Sequence, residues 1–214
     1  NTAEGERILV TFAASGTLVF GFFDPSVPIQ AIQRSRVTID GDVDGDGNPD
    51  VTLERVSGAV AERKLVQPQG EGLSGLRVEA SAVTIRGLVI HSELGNAVEV
   101  ADLLGGTLSD VTILGIEAHA ENGAGIVVEA QADAGQEAHM SEILISQNRI
   151  IDGGPVGIAL VAAGTSSPAG SLTLMNVTLA ENVAMNSQTG ISIVPTAQGA
   201  VLTQIAVSNN QISN

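Results

Sequence analysis

Val83-Thr-Ile-Arg-Gly-Leu-Val-Ile90 decides how this chain is read. Val83 and Ile85 flank Thr84, and after Arg86-Gly87 the apolar residues Leu88 and Ile90 resume the same spacing. Alternation with a period of two, carried by β-branched residues, marks a strand buried on one face. A helix would need apolar residues three and four apart, and no such stripe is visible here or elsewhere in the chain.

The motif repeats. Val83-Thr-Ile85, Val111-Thr-Ile113, Ile143-Leu-Ile145, Val177-Thr-Leu179 and Ile205-Ala-Val207 follow one another at spacings of 28, 32, 34 and 28 residues. Five residues beyond each triplet stands a small or apolar residue: Ile90, Ala118, Ile150, Ala184 and Ile212. A third segment follows in four of the units: Val98-Glu-Val100, Ile126-Val-Val128, Ile158-Ala-Leu160 and Ile191-Ser-Ile193, with Val98 and Val100 expected inward and Glu99 outward. Three short strands per repeat, none able to stand alone, bury their apolar faces by stacking on the next repeat, which describes a parallel β-solenoid. Gly95, Gly125, Gly157 and Gly190 precede the third strands, where a corner calls for a residue without Cβ strain. Three residues after each triplet the chain reads Leu88, Ile116, Asn148, Asn182 and Asn210. Three asparagines in successive coils suit an amide ladder, each bonding its own turn and its neighbours above and below; exposed turn residues are the plainer alternative.

Composition narrows the function. The chain has 214 residues, no cysteine, 24 acidic against 9 basic side chains and a formal charge of −15. It opens on Asn rather than Met and shows no signal peptide, which reads as a processed or excised chain. Without thiolates, a metal here would take hard oxygen ligands. A single lysine, Lys64, and so large a negative charge argue against nucleic acid and against anionic membrane surfaces. No apolar run is long enough to span a bilayer, so no membrane insertion is expected. Aromatic residues are 2% of the chain, four Phe that all lie between Phe12 and Phe23, which leaves little from which to build a sugar-stacking cleft.

The segments Gly75–Ile90 and Ile145–Ile158 resemble right-handed parallel β-helix repeats of the pectin-lyase-like superfamily, over about residues 35 to 214. The opening, Ile8 to Phe23 followed by Ser35-Arg-Val-Thr-Ile-Asp-Gly41, is similar to the first strands of large secreted and surface β-helix proteins of bacteria. This likeness implies the right-handed sense of the coil, and it identifies fold far better than activity. The expectation is one all-β domain of about six coils: an N-terminal β segment over 1–34, coils over 35–214, and a long excursion over 57–74.

Asp40-Gly-Asp-Val-Asp-Gly-Asp-Gly-Asn-Pro-Asp50 gathers half of the chain's ten aspartates. Asp42, Asp44 and Asp46 stand at positions 1, 3 and 5 of a calcium loop, Gly47 at the sharp turn, Asn48 at the carbonyl position and Asp50 at position 9. Position 12 is Leu53, so the bidentate glutamate of an EF-hand is missing. The loop instead resembles the short calcium loops of integrin-type repeats. That resemblance implies Asp42, Asp44, Asp46 and Asp50 as side-chain ligands and Asn48 as a carbonyl ligand for Ca2+. A turn kept soluble by charge is the alternative. Val37-Thr-Ile39 reads as a first strand and Val51-Thr-Leu53 as a third, which puts the loop on the path of the second.

Catalytic patterns are thin. Fold relatives that cleave acidic polysaccharides use a Lys or Arg base, and those that hydrolyse glycosides use close carboxylates. Only Arg63 and Lys64, in the excursion, are candidates for the first, and no paired aspartate motif supplies the second. His91 and His119 occupy one register in adjacent coils, and His139 lies in a polar loop. No catalytic residue is assigned. The reading is a non-catalytic, calcium-stabilised scaffold, secreted or at a bacterial cell surface. Its expected partners are copies of itself stacked end to end or a surface polysaccharide. A self-assembling filament or sheath subunit and a polysaccharide lyase or hydrolase fragment are the alternatives.

Overall fold

The computed structural model describes residues 7–21, 31–56, 74–93, 95–102, 106–132, 136–164, 171–197 and 199–213. All regular structure among them is β, and no helix long and apolar enough to cross a membrane occurs there. The strands form three parallel sheets of seven, seven and five. The first sheet stacks β1 (Ile8–Thr11), β3 (Val37–Asp40), β6 (Val83–Arg86), β9 (Gly106–Leu114), β12 (Ala138–Ser146), β15 (Leu172–Ala180) and β18 (Val201–Ser208). The second stacks β2 (Gly16–Gly21), β4 (Val51–Val56), β7 (Leu88–Ser92), β10 (Glu117–Ala120), β13 (Arg149–Ile151), β16 (Val183–Met185) and β19 (Gln211–Ser213). The third holds β5 (Leu76–Val78), β8 (Val98–Asp102), β11 (Ile126–Ala132), β14 (Val156–Gly164) and β17 (Thr189–Pro195). The chain is a parallel β-helix of three strands per coil, with five complete turns from β3 to β17 rather than six.

The N-terminal segment is part of the same stack. β1 pairs in parallel with β3, β2 with β4, and Ile32 bridges to Val78, so the described part of 1–34 follows the path of a coil. The excursion over 57–74, with Arg63 and Lys64, lies outside the described residues except for Ser74.

The inward columns form one core. Ile85, Ile113 and Ile145 pair across successive strands and are fully buried, with Leu88, Ile90, Ile126, Ile150, Ile158 and Leu160 equally so. Each isoleucine covers the one below, so burial is a property of the stack and not of any single repeat.

From β6 onward, two corners of each coil are made by residues in the left-handed region. Ala82, Asp110, Glu142, Asn176 and Gln204, with φ of 53–59° between them, each stand one residue before a triplet. There the ladder skips a position, passing from Ser141↔Ser109 to Ile143↔Val111. A residue left unpaired in this way bends the strand, and polar side chains at such points face solvent. The second corner is made by Gly87, Gly115, Gln147, Glu181 and Asn209, again all at positive φ. A non-glycine residue costs roughly 1–2 kcal/mol in this region, so the stacking must over-determine these corners.

The glycines before the third strands serve another purpose. Gly125, Gly157 and Gly190 do not adopt positive φ. A Cβ on Gly157 would lie 2.6 Å from the Gly190 carbonyl oxygen and 2.9 Å from the Ala184 side chain. Close approach of coil to coil requires the missing Cβ here, not conformational freedom. Ala97, and not Gly95, occupies this column in its coil, since Val98 pairs with Ile126.

The asparagine ladder is present, with a different bonding pattern from the expected one. Asn148 Nδ2 donates to Ile113 O in the coil below (3.0 Å) and to Asn182 Oδ1 in the coil above (2.9 Å). Asn182 repeats this with Ile145 O and Asn210 Oδ1, both at 2.9 Å. Each Oδ1 also accepts a main-chain N–H from the preceding coil: Ile116 to Asn148, Asn148 to Asn182, and Asn182 to Asn210. The amides therefore tie coils together, and only Asn210 bonds its own turn, through Ser208 O.

Candidate metal site

The aspartate loop sits at a corner. Val51–Val56 pairs with Leu88–Ser92, so it is a second strand and not a third, and 41–50 expands the turn between the first and second strands of its coil. The loop is closed at its root, where Asp50 N–H donates to Gly41 O (3.1 Å). It is tied upward by Gly41 N–H to Arg86 O (3.0 Å) and downward by Gly16 N–H to Asp50 O (3.1 Å). Gly87 makes room for it: a Cβ there would meet Asp42 N at 2.7 Å and Asp42 Cβ at 2.8 Å. Arg86 in the same turn donates to Asp40 Oδ2 at 2.5 Å. That bond, with the charges of Asp40 and Asp42, raises the guanidinium above its usual range. Asp40 is thereby committed to a side-chain cation.

The loop's own N–H groups orient its carboxylates. Asp42 accepts from Gly45 N–H (2.8 Å) and Gly47 N–H (3.0 Å), and Asp44 from Asp46 N–H (3.1 Å). Asp50 Oδ2 accepts from Val43 N–H (2.7 Å) and Asp44 N–H (3.2 Å). Gly45 at φ 79° and Gly47 at φ 88° permit the winding that aims these donors inward. The result is that Asp42, Asp44 and Asp50 each bring a carboxylate oxygen within 4.8 Å of the others. Oxygens at opposite sides of a calcium ion stand about 4.6–5.2 Å apart, so this spread fits inside one coordination sphere.

Asp46 falls elsewhere. Asp46 accepts from Asn48 N–H (2.8 Å) and Asn48 Nδ2 (2.9 Å) and stands outside the cluster. The Asn48 side-chain amide, and then its N–H, hold this carboxyl below the ordinary carboxylate range. Of the four expected carboxylates the structure brings together three, and the fourth is turned onto its neighbour.

Two other polar groupings occupy the outer faces. His91 and His119 pair in register, with ring centroids 4.2 Å apart and planes 35° from parallel. On the third sheet Glu99, expected outward, is buried at 3% exposure. It bonds Ser74 Oγ, lies 3.5 Å from Asn96 Nδ2 and 3.6 Å from Arg77 Nη1, and shares its face with Glu129. Burial, and then the charge of Glu99, push the Glu129 carboxyl up, partly offset by Arg77. Alternation placed Glu99 on the outer face correctly but carried no sign that this face is covered. Among the described residues only the aspartate loop converges three acidic or imidazole ligand atoms. In comparison with known proteins, no family model, no curated protein and no solved structure matches the chain.

Proposed function

We propose that the chain is a non-catalytic extracellular module: a right-handed parallel β-helix of the pectin-lyase-like type, from a bacterial secreted or surface protein, locked at one corner by calcium. The observation that carries this reading is the convergence of Asp42, Asp44 and Asp50 on a loop rooted in the coils above and below it. A cation there neutralises three confined anions and fixes the first turns of the wall, which is a structural use of a metal. The acidity of the chain, −15 overall, suits a cation-rich exterior.

Calcium then contributes to stability by binding the folded state alone. At one hundred times its dissociation constant, such an ion adds about 2.7 kcal/mol. Thermal melting in chelator is therefore expected to fall clearly below melting in calcium, with recovery on adding calcium and less on adding magnesium. Asp42→Asn with Asp44→Asn removes the response. A melting temperature indifferent to chelator would exclude the calcium lock.

A second reading, a subunit that stacks end to end, rests on register. Val10 and Val207 belong to the same inward column as Ile113, yet are 39% and 48% exposed, beside Leu9 at 59% and Ile212 at 55%. β18 and β1 thus offer matching apolar edges to a further strand. Val207→Lys is expected to reduce association in sedimentation without altering the calcium response. A wild-type chain that is monomeric at high concentration argues against stacking.

A further inference from the structure

We propose that His91 and His119 form a second metal site on the outer face of the second sheet, taking a borderline transition-metal ion such as zinc, nickel or copper(II). It is chemically distinct from the aspartate loop, because imidazole nitrogen suits these ions and carboxylate oxygen suits calcium.

The two rings project from adjacent strands in exact register, so the sheet itself sets their separation. With centroids 4.2 Å apart and planes inclined by 35°, they are already as close as two ligands of one ion. Zinc binds imidazole nitrogen at about 2.0–2.1 Å, which places two ligating nitrogens roughly 3–4 Å from each other. With His119 held by Glu117, the site requires side-chain rotation of the partly exposed His91 ring alone, since the strand register already sets the spacing.

The surroundings supply the support that metal-bound histidines need. His119 Nε2 lies 2.9 Å from Glu117 Oε1, and Glu117 Oε2 accepts from Arg149 Nη1 at 2.7 Å. With its Nε2–H donated to a carboxylate, which only accepts, the ring keeps its lone pair on Nδ1, and the carboxylate fixes its orientation. Glu54 stands next to His91 in the same column, on the strand away from His119. The column therefore runs Glu54, His91, His119 and then continues as Ile151, Met185 and Ser213.

The test uses the full chain purified without a histidine tag, with calcium present throughout to occupy the aspartate loop. Zinc titrated by calorimetry is expected to bind once per chain, and at least about tenfold more weakly in His91→Ala and in His119→Ala. Glu117→Gln is expected to weaken binding about tenfold, as loss of an outer-shell partner does. His139→Ala and the doubly substituted loop, Asp42→Asn with Asp44→Asn, leave it unchanged. Copper(II) bound to the wild-type chain should show electron-spin coupling to two nitrogens, and to one in each single histidine variant. Zinc affinity unaffected by both histidine substitutions, or lost with the loop variant, overturns the assignment. Should an alanine variant fail to fold, the wild-type copper spectrum alone decides: coupling to fewer than two nitrogens overturns it.

Discussion

Replacing Asn182 by alanine is expected to lower the unfolding free energy by about 3–5 kcal/mol, among the largest effects of any single polar substitution in this chain. Asn182 is 1% exposed and its amide makes four side-chain hydrogen bonds: it accepts from Asn148 N–H and Nδ2, and donates to Ile145 O and Asn210 Oδ1. Alanine removes all four and strands the Asn148 main-chain N–H inside the corner. Each buried group left without a partner costs about 1–3 kcal/mol, more than the net worth of the bond it lost. Denaturant titration measures the difference. A variant within about 0.5 kcal/mol of wild type would mean that water replaces the ladder.

Asn182→Asp separates the ladder's donor from its acceptor. The aspartate keeps an oxygen for Asn148 but turns its other oxygen toward Ile145 O and Asn210 Oδ1, both acceptors. Only the protonated acid can donate there, so its folded-state pKa is raised above the unfolded value. Stability tied to such a group is present below the unfolded pKa and is lost as pH rises through the folded one. This variant is expected to approach wild type on acidification, whereas Asn182→Ala is not. Parallel pH dependence of the two would show that the donor side of the amide contributes nothing.

The coil register was legible because the apolar columns repeat at every turn. Val83, Val111, Ile143, Val177 and Ile205 align in the structure as their spacing indicates, and so do Ile90, Ala118, Ile150, Ala184 and Ile212. The corners were not legible. Glu142, Gln147 and Gln204 adopt positive φ although their residue types give no local signal, because stacking imposes the conformation on whatever residue stands there. The same blindness misplaced Val51: an inserted loop shifts the sequence offset while leaving the strand in its sheet, and only the pairing with Leu88 shows it. In the aspartate loop the alternation of carboxylates located the cluster. The turn of Asp46 onto Asn48 depends on local hydrogen bonds that the spacing does not encode.

Ile113→Ala is expected to cost about 2–5 kcal/mol, and Thr112→Ala, one residue away, less than about 1 kcal/mol. Ile113 is fully buried between Ile85 below and Ile145 above, so truncation opens a cavity that two rigid neighbouring coils cannot collapse to fill. Thr112 stands on the outer face of the same strand, only partly buried, and loses little on shortening. The comparison within one column is sharper. Val207 is related to Ile113 by the same stacking register, three coils on through Ile145 and Leu179, but is 48% exposed because no described strand lies over β18. Val207→Ala is therefore expected to change stability by no more than about 0.5 kcal/mol in the monomer. If burial comes from the coil's own closed section, Val207 and Ile113 should behave alike, apart from one methylene. If it comes from the coils above and below, the central residue should cost several times more, and denaturant titration of the three variants at low protein concentration distinguishes the two. Equal costs at Ile113 and Thr112 would mean the column does not point inward. A large cost at Val207 in the monomer would mean the last strand is covered by the chain itself.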